Sequence, residues 1–170
     1  MTAGSCLRKD FTFSEERSSA PGMLLAVSRV NETVPHFLIS GVKRRLGSLA
    51  GRKVAVLGLA FKADTDDERD SLAHKLVRLL ERELADVAVH DPHVATPTQG
   101  LEEAVTDADV VFVATNHAVF CSPQTLERIA ESAAGECLVV DPWDCFRAAQ
   151  VFAYATELML LTSTVSPFGR

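Results

Sequence analysis

The chain has 170 residues, a length that suits about one domain with a small appendage. Hydrophobic residues make up 47% and charged residues 24%, which supplies one proper core and excludes disorder as the main state. Seventeen Lys and Arg stand against 23 Asp and Glu, a net charge of −6 that argues against binding nucleic acid, and no apolar run reaches the roughly 18 residues of a membrane span.

Residues 1–22 are rich in Ser, Gly, Pro and charge and read as an irregular arm. The opening MTAGSCLRKD has no apolar stretch of the secretory kind, so a cytoplasmic location is expected. Within it Cys6 sits in a small-residue turn with Lys9 and Asp10 just beyond. If a helix starts there, its N-terminus and Lys9 favour the thiolate, and Asp10 could orient a water. Taken alone, such a cysteine is more often inert. Cys121, Cys137 and Cys145 are read as unreactive, with Cys137 a small core residue in a strand. No two cysteines form a CxxC pair, so the spacing supports neither zinc nor a disulfide framework, and a reduced compartment is expected.

From Met23 to Leu46, Leu24, Val27, Val30, Val34, Phe37, Leu38, Val42 and Leu46 recur at three and four, the stripe of a helix that buries one face against another domain or subunit. Pro35 predicts a kink, or a second helix capped near Asn31, and Gly47 a stop. The run Lys53–Ala60 reads as a strand buried on both faces. An acidic loop follows, then a helix over 68–84 capped by Asp66 or Asp67. Strands are expected at 86–92, 108–115, 137–141 and 150–154, with helices at 101–106 and 123–134 between them. This β-α-β-α-β-α-β-β order predicts an α/β fold: an open, mostly parallel Rossmann-like sheet with helices on both faces, preceded by the long helix. The domain reading is an arm at 1–22, a helix at 23–47 and the α/β domain at 48–170.

Ligands in such sheets sit beyond the carboxyl ends of the strands, so the candidate rim is the loop after Ala60, with Asp91, Thr115 and Asp141 beside it. That loop holds one glycine, Gly58, where a dinucleotide fingerprint needs three. Instead it carries Lys62 and, expected in the first turn of the next helix, Arg69. Two cations near free backbone N–H groups suit a diphosphate. The same pattern is met if they pair with Asp64, Asp66, Asp67 and Asp70. The histidines default to solvated or capping roles, although Asn116-His117 falls at the ligand rim.

Four stretches, in order, resemble the C-terminal part of the nucleotide-sugar 6-dehydrogenases, the UDP-glucose and UDP-N-acetylmannosamine dehydrogenase family. Gly4–Asp10 resembles its GGSC(F/L)PKD segment, and Val30-Asn31 with Pro35 its VNxxQP helix. Val54–Ser71 resembles VAVLGLAFKPDTDDxRxS, and His90-Asp-Pro92 its YDP strand end. Val139–Trp143 is closer to the acetamido-sugar branch. Ala3, Arg8 and Asp144 depart from the family pattern.

The resemblance implies oxidation of a UDP-hexose at C6 to the UDP-hexuronate with two NAD and one water. Cys6 would form the thiohemiacetal and thioester, and Asp10 would help water release the acid. Phe61 and Lys62 would contact the UDP-sugar, while Lys9 and Arg69 would meet the NAD. The long helix would join the N-terminal half or pack in a homodimer. The family's glycine-rich NAD fingerprint and three further catalytic residues are absent from these 170 residues, so the chain alone is expected to be inactive. No metal, nucleic acid or membrane partner is expected. The competing reading is a UDP-sugar-binding or partner-binding module without chemistry, or a gene remnant.

Overall fold

A computed structural model describes residues 10, 13, 14, 17 and 22–164. A 24-residue helix, α1 (Met23–Leu46), continues unbroken through Pro35. Neither a second helix nor an Asn31 cap forms; Pro35, Leu38, Ile39 and Val42 are buried, and that packing holds the segment helical across the proline. Gly47, at φ 77°, ends it by donating its N–H to Lys43 O at 3.0 Å. Lys43, Arg44 and Arg45 complement the negative end of the helix dipole.

Five strands follow: β1 (Lys53–Leu57), β2 (Asp86–His90), β3 (Val110–Val113), β4 (Leu138–Val140) and β5 (Phe152–Tyr154). The helices between and after them are α2 (Leu72–Arg82), α3 (Leu101–Val105), α4 (Pro123–Ser132) and α5 (Ala155–Thr164). The strands order as β2-β1-β3-β4-β5, parallel except for β5, which runs antiparallel to β4 at one edge. Val54 pairs with Val87 on one side and Val110 on the other, so β1 is the strand where chain order reverses.

The period-two alternation of the strands explains the two cores. Val54, Val56, Val110, Phe112, Leu138 and Val140 face α1 and α2. Ala55, Leu57, Val111, Val113, Val139 and Ala153 face α4 and α5. Because both faces are covered, the strands read as continuous apolar runs. The expected α/β fold with helices on both faces is what forms.

Most strands and helices are a few residues shorter than expected, and one helix starts elsewhere. Helix α2 starts at Leu72, not 68, and its cap is Ser71, whose Oγ accepts from the Ala73 N–H at 3.2 Å, rather than Asp66 or Asp67. Asp70 stands at φ 56°, a left-handed conformation that a helix cannot include, so residues 68–70 stay in the loop. Helix α5 has no counterpart among the elements expected from the sequence. No described helix is long and apolar enough to cross a membrane.

Helix α1 meets the sheet edge where Phe152 crosses Gly41. A Cβ on Gly41 would lie 2.1 Å from Phe152 Cζ, and the Arg45 guanidinium stacks 4.4 Å from the centre of the same ring. Gly41→Ala is expected to lower stability by about 1–2 kcal/mol, the overpacking exceeding the gain of about 1 kcal/mol in helix propensity. Thermal unfolding checks this; a raised Tm would mean that the ring moves aside at no cost.

Candidate functional site

The carboxyl ends of β1 and β3 meet at the reversal point, and backbone crowding there dictates the residue types. Gly58 adopts φ 98°, and a Cβ on it would lie 2.5 Å from Thr115 Cβ and 2.8 Å from Thr115 N. Only glycine fits. The chain then leaves the sheet as a loop, residues 58–70, whose first residues are tied down on three sides. The N–H groups of Leu59 and Ala60 donate to Asp91 Oδ2 at 2.6 and 3.0 Å. The Thr115 hydroxyl donates to Ala60 O at 2.7 Å. The Asp64 N–H donates to His117 Nδ1 at 2.8 Å, and the Ala118 N–H returns to Asp64 Oδ1 at 3.0 Å.

Asp91 is the hub. Its carboxylate is fully buried just past the end of β2 and also accepts from the His93 N–H at 2.8 Å and His117 Nε2 at 3.1 Å. Burial works to raise its pKa, but the hydrogen bonds from His117, His93, Leu59 and Ala60 outweigh it and hold the group well below the ordinary carboxylate range. An Asp64 N–H can only donate, so His117 Nδ1 carries the lone pair and Nε2 the proton that reaches Asp91. A second buried carboxylate, Asp141, does similar work past β4, accepting from the N–H groups of Trp143 and Phe146 at 3.1 and 3.0 Å. Trp143 Nε1 donates in turn to Ala114 O at 3.1 Å, linking that loop to the end of β3.

Beyond these anchors the loop presents its middle outward. Phe61 is half-buried, and Lys62 is exposed with its Nζ 5.4 Å from the Phe61 ring centre. Among the described residues Lys62 forms no ion pair. Arg69 behaves differently: Nε and Nη2 bind the two carboxylate oxygens of Asp67 at 2.9 and 2.6 Å. With the Arg69 backbone N–H also donating, the side chain and then the backbone of Arg69 pull the Asp67 pKa down to about 2. The acidic-pair alternative thus holds for Arg69, which lies in the loop and not in the first turn of α2. Asp10 is exposed, whereas Cys6 and Lys9 lie outside the described residues.

Two expectations from the sequence are corrected here. His117 is wholly buried, neither solvated nor a helix cap. Cys121 and Cys145 are not separate thiols; they form a disulfide with Cα atoms 4.5 Å apart. Their spacing hides this because one follows β3 and the other β4, and only adjacent pairing of those strands sets the two loops side by side. Cys137 is the small buried residue expected, its thiol pushed up to about 12 by burial. A cavity of about 300 Å³ opens beside the disulfide, walled by Pro123, Leu126, Phe146 and Arg147. None of Phe61, Lys62 or Arg69 lines it.

Residues 55–148, more than half the chain, match the model of the UDP-glucose/GDP-mannose dehydrogenase family, UDP binding domain. The chain belongs to that family. The UDP-N-acetyl-D-mannosamine dehydrogenase of Pyrococcus horikoshii is 33% identical over 124 residues, covering 70% of this chain and 30% of the relative. A solved structure of the UDP-D-ManNAc dehydrogenase of that organism superposes with a TM-score of 0.68 at 31% identity, over 79% of this chain and 33% of that one. A UDP-glucose dehydrogenase from Pyrobaculum islandicum gives 0.63 at 34% identity, over 71% and 32%. The chain therefore spans about a third of the length of these relatives, the C-terminal part that carries the UDP binding domain. Gly58, Asp91, Thr115, His117 and Asp141 all fall inside the matched segment.

If Asp91 holds the loop, Asp91→Asn is expected to cost about 2–4 kcal/mol, because an amide cannot accept from all the donors it faces. The depressed folded pKa means that the carboxylate contributes in full above the unfolded value of about 3.9 and loses its effect as the pH falls through the folded value. Tm measured against pH should show wild type and variant far apart at neutrality and converging under acid. Parallel curves down to the lowest pH would contradict the assignment.

Proposed function

We propose that this chain supplies the UDP-sugar-binding portion of an NAD-dependent nucleotide-sugar 6-dehydrogenase, which converts a UDP-hexose to a UDP-hexuronate. The observation that carries the reading is the match to the family's UDP binding domain over residues 55–148, a segment that includes Phe61 and Lys62 on the loop at the reversal point. The Lys62 ammonium, exposed and without an ion pair among the described residues, suits a diphosphate, and the Phe61 ring beside it suits the flat face of a base or sugar. Cys6 as nucleophile toward the sugar C6 carbon, and Asp10 as the group that positions water, extend the same proposal.

The described residues do not fit a whole NAD. Thr115 packs against Gly58, a long anchored loop separates β1 from α2, and Ser71 already caps that helix, so no glycine-lined turn brings a pyrophosphate to its N-terminus. Arg69 could reach a cofactor phosphate only by leaving Asp67, and Lys9 would approach from the arm. The dinucleotide site accordingly belongs to an N-terminal half outside these 170 residues. Helix α1 offers the surface for that half, or for a second copy of the chain. Met23, Val27, Val30 and Phe37 are all more than half exposed on it, while its C-terminal part is anchored on the sheet.

Calorimetry with UDP tests the reading. Binding is expected for the chain alone, weakened about tenfold to a hundredfold by Lys62→Ala, in line with about 1.5–3 kcal/mol for a charged hydrogen bond, and unchanged by Cys6→Ser. Absence of UDP binding, or indifference to Lys62→Ala, would overturn it. Mixed with NAD and UDP-glucose or UDP-N-acetylmannosamine, the 170-residue chain is expected to form no NADH. Steady turnover would show that the dinucleotide site is present after all.

A further inference from the structure

The loops after β1, β2 and β3 bring Asp64, His93 and His117 to one point, three residues that no local spacing connects. Their ligand atoms all lie within 4.8 Å of one another. His93 Nε2 and His117 Nδ1 each stand 3.7 Å from Asp64 Oδ1, and the two imidazole rings are 4.6 Å apart, centre to centre. Two metal–ligand bonds of about 2.0–2.1 Å at the tetrahedral angle hold their donor atoms about 3.3 Å apart, so the two distances to Asp64 Oδ1, at 3.7 Å, are a few tenths of an ångström wide, and the set as a whole, within 4.8 Å, must draw together when an ion binds.

A second observation singles it out. His117 is wholly buried, and its Nε2–H is committed to the equally buried Asp91 carboxylate, so its Nδ1 lone pair points toward Asp64 and His93, where it accepts the Asp64 backbone N–H at 2.8 Å. A carboxylate behind the far nitrogen is the arrangement that fixes the tautomer and raises the basicity of a metal-bound imidazole. We propose that Asp64, His93 and His117 form a binding site for one divalent transition-metal ion of the zinc class, with Asp91 as the positioning residue behind His117. Two imidazoles and a carboxylate leave the fourth tetrahedral position to water. Occupation displaces one bond, the Asp64 N–H on His117 Nδ1, so the turn at Asp64 moves when the ion binds. The Asp64 side chain keeps Ala118 N–H as a partner through the second lone pair of Oδ1.

The full chain, stripped with a chelator and titrated with cobalt(II) alone, tests this. One ion per chain is expected, with the weak visible d–d bands of an N/O site, and stoichiometric zinc should bleach them. His93→Ala and Asp64→Asn change exposed side chains and should each weaken cobalt binding at least tenfold while leaving far-UV circular dichroism unchanged. His74→Ala, on α2, should leave the affinity as it is. Binding below one ion per chain, affinity unaltered in His93→Ala, or the intense near-ultraviolet absorption of a cobalt thiolate would each overturn the proposal. No nucleotide enters the assay, so its failure leaves the UDP reading standing.

Discussion

A buried carboxylate that collects four hydrogen bonds holds the working end of this sheet together. Asp91 takes N–H groups from the loop after β1, from its own turn and, through the His117 ring, from the loop after β3. An ionised group so deep would be costly without partners; with them it becomes the point at which three strand ends are tied. The position of every other group at the rim follows. Leu59 and Ala60 are drawn inward, Phe61 and Lys62 are thereby turned outward, and the chain needs the rest of the acidic stretch to return to α2.

That geometry also decides between the two uses of the cations. Lys62 lies on the exposed side of the loop, near enough to Asp67 to feel its charge but without an ion pair among the described residues. Arg69 lies two residues from Asp67, near enough for a bidentate pair that satisfies both partners. An exposed pair of this kind contributes little to stability, although it occupies both faces of the Arg69 fork that bind Asp67. The close approach of Gly58 to Thr115 belongs to the same economy of space. The strands come so near at the reversal point that a side chain there would push them apart, and the loop must begin from a bare α-carbon.

Much of the fold was legible from composition and periodicity. Continuous Val, Ala and Leu runs identify strands covered on both faces, and the strand–helix alternation identifies the parallel sheet. The stripe on α1 was visible, but not that Leu38, Ile39 and Val42 would seat it on the sheet and carry it through Pro35. Sequence alone sets the start of α2 too early because Asp66 and Asp67 are good caps in isolation, whereas Ser71 is the cap that forms. The competing bonds of Asp67 to Phe61 and Arg69, and the left-handed Asp70, exist only once the loop is anchored. At the site, the strand-end positions of Asp91, Thr115 and Asp141 followed from topology alone. The burial of His117 and the Cys121–Cys145 pair did not, since both depend on which loops become neighbours.

The sequence by itself determined the fold class, the family likeness over residues 54–71 and the placing of Phe61 and Lys62 beyond the first strand. These rest on local patterns: alternation, apolar runs and a contiguous motif. Tertiary structure alone decided that Asp91 and His117 share a proton-bearing contact, that Asp64, His93 and His117 converge, and that Arg69 is clamped while Lys62 is not. The first two outcomes join residues as far as 26 and 53 positions apart, and the third selects one of several acidic neighbours once the loop is anchored. Closure of such loops is settled by the pairing of whole strands, a non-local event that no window of sequence contains.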